Sequence, residues 1–278
     1  MRFESRRRRR RREALDQPFP DEWRMLLVRR WPLWSLLSDD ERFRMEFLIQ
    51  EFVYDIRWEA ANNFDIADIM KVLIAAQACL LVLELGDDDD EPSDYYRGVS
   101  TVIVHPSTVV LSGPRATGSG GLQTNAPTRI DGQAHFGGPV IVAWDSVSID
   151  ARHPGRGLNV VFHEFAHKLD MLDGVIDGTP PLVMGEARER WIEVCTREYK
   201  AIRRGSDGDG ELLRAYGGTD PGEFFAVATE MFFSRPVDMK TRKPDLYDVL
   251  SGFYRQDPAA RFPAPVIAPV TPVTVETT

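Results

Sequence analysis

A chain of 278 residues with 43% hydrophobic and 28% charged residues is long enough to bury a core as one large or two modest domains, without disulfide staples. Its two cysteines, Cys79 and Cys195, exclude a disulfide framework and fit a reducing, cytoplasmic compartment, and its longest apolar run, near Ala78–Leu83, is far short of the ~18 residues of a membrane span. Net charge is −9 although seven consecutive arginines, Arg6–Arg12, sit in one short arm, so the rest of the chain is more acidic still and no nucleic-acid-binding face is expected on it.

Residues 1–20 read as a disordered, solvated arm, because a block of like charges repels itself. The second reading of Arg6–Arg12 is contact with nucleic acid or another anionic surface such as acidic lipid. A twin-arginine export signal is not expected, since Glu13, Ala14, Leu15, Asp16, Gln17 and Pro18 follow instead of an apolar stretch.

The stretch 21–86 reads as a helical N-terminal part. Ser38 followed by Glu41 makes a capping box ahead of an amphipathic run through Phe43, Phe47, Ile49, Phe52 and Val53. A second helix, from about Ile66 to Leu85, is apolar nearly all round and is expected to be buried. Gly86 ends it, and Asp87–Asp90 with Glu91 reads as a solvated acidic turn rather than a calcium loop, which needs spaced ligands. Thr101–His105 and Thr108–Leu111 are short β-branched runs. The Gly-, Ser- and Thr-rich stretch Gly113–Gly138 is expected to be mostly loop, and Pro139–Trp144 is a strand. Helices are expected near 158–172, 185–203, 221–234 and 244–255. Residues 258–278 are proline-rich without periodicity and read as a disordered tail. Strands in the middle, helices on either side and no regular βαβ alternation give an α+β fold with a single domain over 21–257.

His163-Glu164-Phe165-Ala166-His167 is an H-E-x-x-H motif. Histidines at i and i+4 share one helix face and reach one zinc ion at ~2.0–2.1 Å. Glu164 projects towards the water on the metal as a general base. A core helix with two hydrogen-bonded histidines is the bland alternative. Catalytic zinc takes a third protein ligand. Asp170 lies seven residues from His163, ~10.5 Å along the axis, too far to share an ion with both histidines. It reads as an acceptor for a ligand imidazole or as an ordinary helix carboxylate. The downstream candidates are Glu186, Glu223 and Glu230. Glu223 stands among Phe224, Phe225 and Val227, where a carboxylate is costly to bury without a cation, although a first-turn glutamate also suits a helix dipole. Cys195 reads as core, with no arrangement that would activate it as a nucleophile, and His105, His135 and His153 read as structural.

LLVLELG (80–86), GPVIVAWDSV (138–147), HEFAHKLD (163–170), AYGGTDPGEFFAVATEMFF (215–233) and FYRQDP (253–258) together make the chain resemble the Mlc titration factor A family of gluzincin-type zinc peptidases. The similarity runs from about residue 20 to 260. It extends to the catalytic domain of anthrax lethal factor, where a tyrosine lies seven residues before a glutamate that begins an E-F-F-A run, as Tyr216 does before Glu223 here. The resemblance implies a zincin-like domain with a small mixed sheet and an active-site helix. It implies one zinc on His163, His167 and Glu223, Glu164 as general base, and Tyr216 as hydrogen-bond donor to the oxyanion. It also implies aminopeptidase-like cleavage of peptide or protein substrates, with Pro139–Trp144 as an edge strand that pairs with an extended substrate. Two other functions compete: capture of a transcriptional repressor of the Mlc type, with peptidase activity secondary, and a structural zinc protein, which the absence of a four-ligand Cys/His set disfavours.

Overall fold

A computed structural model describes residues 17–61, 64–86, 92–96, 98–107, 109–111, 115–117, 122–124, 128–130, 132–134, 138–182, 185–205 and 212–262. The Arg6–Arg12 arm, the acidic run 87–91, Thr108, His135 and the tail from residue 263 lie outside them.

Three helices build the N-terminal part: α1 (Asp21–Arg30), α2 (Asp39–Asp55) and α3 (Asp68–Val82). The capping box at the head of α2 is complete. Ser38 Oγ accepts from Glu41 N, and Glu41 Oε2 accepts from Ser38 N at 2.8 Å. Helix α3 is buried from Val72 to Val82, as an element apolar on all faces must be. A helix-only reading of 21–86 needs one correction: Arg57–Ala60 is strand β1. Four residues with one tryptophan are too short to carry a visible alternation, and the strand exists because β2 offers it a partner.

The central sheet has the order β1-β2-β8-β7, formed by β1, β2 (Thr101–His105), β8 (Val140–Ala143) and β7 (Gly132–Ala134). The first three are parallel, with Trp58 opposite Val102 and Val102 opposite Val140. Strand β7 runs antiparallel to β8, Gln133 opposite Ile141. The Thr108–Leu111 run holds β3 (Val109–Leu111), and the Gly- and Ser-rich stretch also holds β4 (Arg115–Thr117), β5 (Leu122–Thr124) and β6 (Thr128–Ile130), paired as β3-β6 and β4-β5. The described residues of that stretch are therefore mainly short strands, and the rest of it lies outside the described residues. The segment Pro139–Trp144 does not form a sheet edge: β8 lies inside the sheet, between β2 and β7, and β7 is the edge strand.

Chain continues through α4 (Trp144–Arg152), α5 (Val160–Asp170), α6 (Glu186–Arg203), α7 (Pro221–Ser234), α8 (Pro236–Arg242) and α9 (Pro244–Tyr254). Helix α5 sits at the centre. Phe165 packs edge-to-face on Phe52 of α2 at 5.6 Å and on Tyr96 at 5.0 Å, and Phe162 packs on Phe233 of α7 at 5.5 Å. Rings on both sides fix its rotation about its own axis, and with it the direction in which the remaining face points. Pro258–Arg261 forms a 3₁₀ turn capped by Asp257. Arg261 Nη2 lies 2.6 Å from Glu41 Oε1, so the ordered body runs past residue 257. No helix of the described residues is long and apolar enough to cross a membrane.

Candidate metal centre

Helix α5 begins where the sequence provides a cap. Asn159 has extended backbone and its Oδ1 accepts from Phe162 N at 2.9 Å, which satisfies one donor of the first turn. The cap is anchored in turn: Asn159 Nδ2 donates to Gln77 Oε1 of α3 at 2.7 Å, and Asn159 N donates to Glu230 Oε2 at 2.8 Å. Helix α7 begins with Pro221 behind Asp220, whose Oδ1 accepts from Glu223 N at 3.0 Å. The two capped helices lie against each other and bring their side chains to one point.

His163, Glu164 and His167 come from α5 and Glu223 from α7. The two Nε2 atoms of His163 and His167 are 3.3 Å apart. Glu223 Oε2 lies 3.0 Å from His163 Nε2 and 3.7 Å from His167 Nε2. The ligand atoms of His163, His167 and Glu223 all fall within 4.8 Å of one another. Separations of about 3.3 Å are what two atoms at ~2.0–2.1 Å from one ion make at the tetrahedral angle.

The donor chemistry fits a cation as well as the spacing does. His163 Nδ1 faces Glu230 Oε1 at 2.7 Å. That contact places the imidazole proton on Nδ1 and leaves the Nε2 lone pair pointing at another imidazole nitrogen and a carboxylate oxygen. Glu223 Oε2 is buried and makes no aligned hydrogen bond, and Glu164 Oε2 is likewise buried without a partner. The 3.0 Å approach of Glu223 Oε2 to His163 Nε2 sets a carboxylate oxygen against that lone pair. Electron-rich atoms aimed at one another in a buried place repel unless a positive ion stands between them.

The local field has the same sign. Burial alone would lower the His163 pKa, but Glu223 and Glu230 outweigh it and raise it to about 10. Burial likewise opposes ionisation of Glu223, and contacts with both histidines overcome it and hold its carboxyl well below the usual range. Glu164 is pushed up to about 7, chiefly by burial, with the histidines acting against it. Tyr216 is half exposed. Its hydroxyl donates to Glu223 Oε1 at 3.0 Å, and burial and that carboxylate raise its pKa.

Of the sequence candidates, His163, Glu164, His167, Tyr216 and Glu223 come together, and Glu186, at the start of α6, takes no part in the cluster. Two carboxylates differ from one expected role each, Asp170 as the support of a ligand and Glu230 as a ligand. Asp170 does not hold an imidazole: its Oδ2 accepts from Gly178 N at 3.0 Å. Glu230 is not a third ligand. It supports His163 from the far side of the ring, and Arg214 Nη2 pairs with the same Oε1. Seven residues separate Glu223 from Glu230, two helical turns that leave both on the face towards α5. The ring of His163 fills the gap between them.

Arg214 is the site residue that carried no sequence signal. It lies two residues before Tyr216, and its guanidinium sits 5.6 Å from the centre of the Tyr216 ring. Lys168, the residue after His167, donates to Gly138 O at 2.8 Å. It ties α5 to the segment between β7 and β8, and burial lowers its pKa to about 8.

A profile of the glucose-regulated metallo-peptidase M90 family matches residues 5–255. The chain is 32% identical over 250 residues to the uncharacterized protein slr2042 of Synechocystis sp., covering 90% of this chain and 89% of the relative. It is 32% identical over 236 residues to Mlc titration factor A of Edwardsiella ictaluri, covering 83% and 86%. With Mlc titration factor A of Cronobacter sakazakii it shares 31% over 233 residues, covering 83% and 84%.

Proposed function

This chain belongs to the glucose-regulated metallo-peptidase M90 family, and we propose that it is a zinc-dependent peptidase of aminopeptidase type, built on a zincin-like domain with a gluzincin ligand set and working in the cytoplasm. The observation that carries this reading is the convergence of His163, His167 and Glu223 on one point, with the unpartnered carboxylate oxygen of Glu164 buried on the same helix. His163, His167 and Glu223 would hold the metal. When bound, zinc supplies Lewis acidity that polarises a carbonyl and acidifies a water. Glu164, as the carboxylate, takes the proton of the attacking water and returns it to the leaving amine, and its burial favours this by raising the carboxylate's affinity for a proton. The Tyr216 hydroxyl, half exposed at the rim, turns from Glu223 to donate to the oxygen that becomes negative. An extended peptide would pair alongside β7, the strand that ends the sheet next to β8 among the described residues.

The test is hydrolysis of a chromogenic alanine substrate by the purified protein, beside Glu164→Gln and a chelated sample. Activity lost in Glu164→Gln, and restored to the chelated sample by zinc, is the expected result. Equal inertness of wild type and Glu164→Gln, with both binding zinc, would sink the peptidase reading. It would favour the second one, capture of a transcriptional repressor, which the printed name of the Edwardsiella and Cronobacter relatives suggests.

A further inference from the structure

Helix α2 turns an unusual face to solvent. Phe43, Phe47 and Tyr54 are 77%, 49% and 53% exposed. At i, i+4 and i+11 they fall within a wedge of about 40° and form a stripe ~16 Å long. The opposite side of the same helix, Met45, Leu48, Ile49 and Phe52, is in the core, so packing of the body does not explain the stripe. Three exposed aromatic rings in one line call for something to cover them.

Two further features of this face indicate what. The first is where the chain arrives. Gln50 lies beside that wedge, about 20° beyond its edge and between Phe47 and Tyr54 along the axis, and is buried. Its Nε2 donates to the backbone carbonyl of Gln17 at 3.1 Å. The N-terminal segment thus enters the body beside the stripe. Arg12 stands five residues upstream of Gln17, within ~17 Å even for a fully extended chain, the length of the stripe.

The second is charge. Exposed Asp39 and Asp40 flank Phe43 at the head of α2, and exposed Asp21 and Glu22 open α1 beside the incoming chain. Asp39 meets Arg42 only as a solvated pair, its side chain 96% exposed. This corner already uses the contact that arginine would make: Arg24 lies 5.5 Å over the Phe19 ring while its Nη2 donates to Glu46 Oε2 at 2.8 Å. Guanidinium groups stack on aromatic faces and pair with carboxylates at the same time.

We propose that the solvent face of α2 is the seat of the chain's own Arg6–Arg12 arm, with guanidinium groups stacked on Phe43, Phe47 and Tyr54 and paired with Asp39 and Asp40. The acidic rim disfavours an anionic lipid surface or nucleic acid on these rings, and disfavours a second copy of the same face. Tethering supplies a high local concentration of the arm at no cost in translational freedom. The arm's charge is then spent within the molecule until a stronger polyanion draws it off.

Trypsin cuts after arginine, so its rate within Arg6–Arg12 in the full chain reports how often the arm leaves its seat. At low ionic strength, cleavage should be about tenfold faster in Phe43→Ser/Phe47→Ser than in wild type, as expected for loss of two stacking contacts. It should also rise in Asp39→Asn/Asp40→Asn, which keeps both rings, and in wild type at high salt. Benzoylphenylalanine placed at position 47 should crosslink within one chain to the 6–12 peptide. Equal cleavage in wild type and both variants would overturn the proposal. So would a crosslink joining two chains, or an arm protected only after a DNA duplex or anionic vesicles are added.

Discussion

Glu230 grips His163 from behind: its Oε1 lies 2.7 Å from Nδ1, on the edge of the ring opposite Glu223. Its other oxygen accepts from the backbone of Asn159, the cap of the same helix. One carboxylate therefore sets both the tautomer of the histidine and the start of the helix that carries it.

Removing that support should weaken the metal centre without touching a ligand. Glu230→Gln keeps the shape but exchanges the acceptor for an amide facing Arg214. Zinc affinity, read by competition with a chromogenic chelator, is expected to fall about 10- to 100-fold. Unchanged affinity would show that Glu230 serves only the helix cap.

Tyr216→Phe deletes a hydroxyl and almost nothing else. The residue is half exposed, so stability should stay within ~0.5 kcal/mol. If the hydroxyl acts on the developing oxyanion, kcat should fall on the order of 10²- to 10³-fold with KM nearly constant. A rise in KM alone would make Tyr216 a substrate contact instead.

Among the described glycines between α5 and α7, Gly178 leaves the least room for a side chain. Its φ is +75°, and a Cβ would lie 2.3 Å from the carbonyl oxygen of Pro221. Its N–H binds Asp170 and its carbonyl accepts from Trp191 Nε1. Gly178→Ala is expected to cost at least ~2 kcal/mol in denaturant unfolding. It should lower zinc affinity too, because Pro221 opens the helix that carries Glu223.

Glu41 links acid stability to the ordered C-terminal turn. Burial pushes its carboxyl up, but hydrogen bonds from the Ser38 backbone and from Arg261 outweigh this and bring it below its ordinary 4.5. A carboxyl lowered by folding stabilises above its unfolded pKa, and that contribution is lost as pH falls through the folded value. Glu41→Gln retains an oxygen for the Ser38 cap and loses the charge. Its melting temperature should lie below wild type at neutral pH, and the gap should close as pH falls below about 4.5. A gap independent of pH would mean that Arg261 draws nothing from the charge.

What the sequence made legible follows from how local each signal is. The four later helices near 158–172, 185–203, 221–234 and 244–255 all exist, because long apolar periodicity and caps such as Asp220-Pro221 are written within a few residues. Helix α4 was hidden by the strand before it: the apolar run PVIVAW leads straight into Trp144, which opens the helix rather than closing the strand. Strand β1 and the edge position of β7 depend on partners far along the chain and have no local mark. The motif histidines and Glu223 were readable as chemistry. Glu230 was readable only as a carboxylate on the right face, since its partner is fixed by the side-by-side packing of α5 and α7. Arg214 was not readable at all, because nothing near it in sequence distinguishes it from a surface arginine.

The seven-residue interval from Glu223 to Glu230 has a consequence for how this protein can change. It acts as a gauge cut to the width of one imidazole. Residues 224–229 can be exchanged for others of like size, but their number cannot vary. One inserted residue would turn everything beyond it by about 100°, leaving Glu223 at the metal point while Glu230 swings into the aromatic core. Homologous chains that keep the chemistry should therefore differ in the letters of this interval and never in its length, and a chain with an indel there should hold zinc as weakly as one without the Glu230 carboxylate.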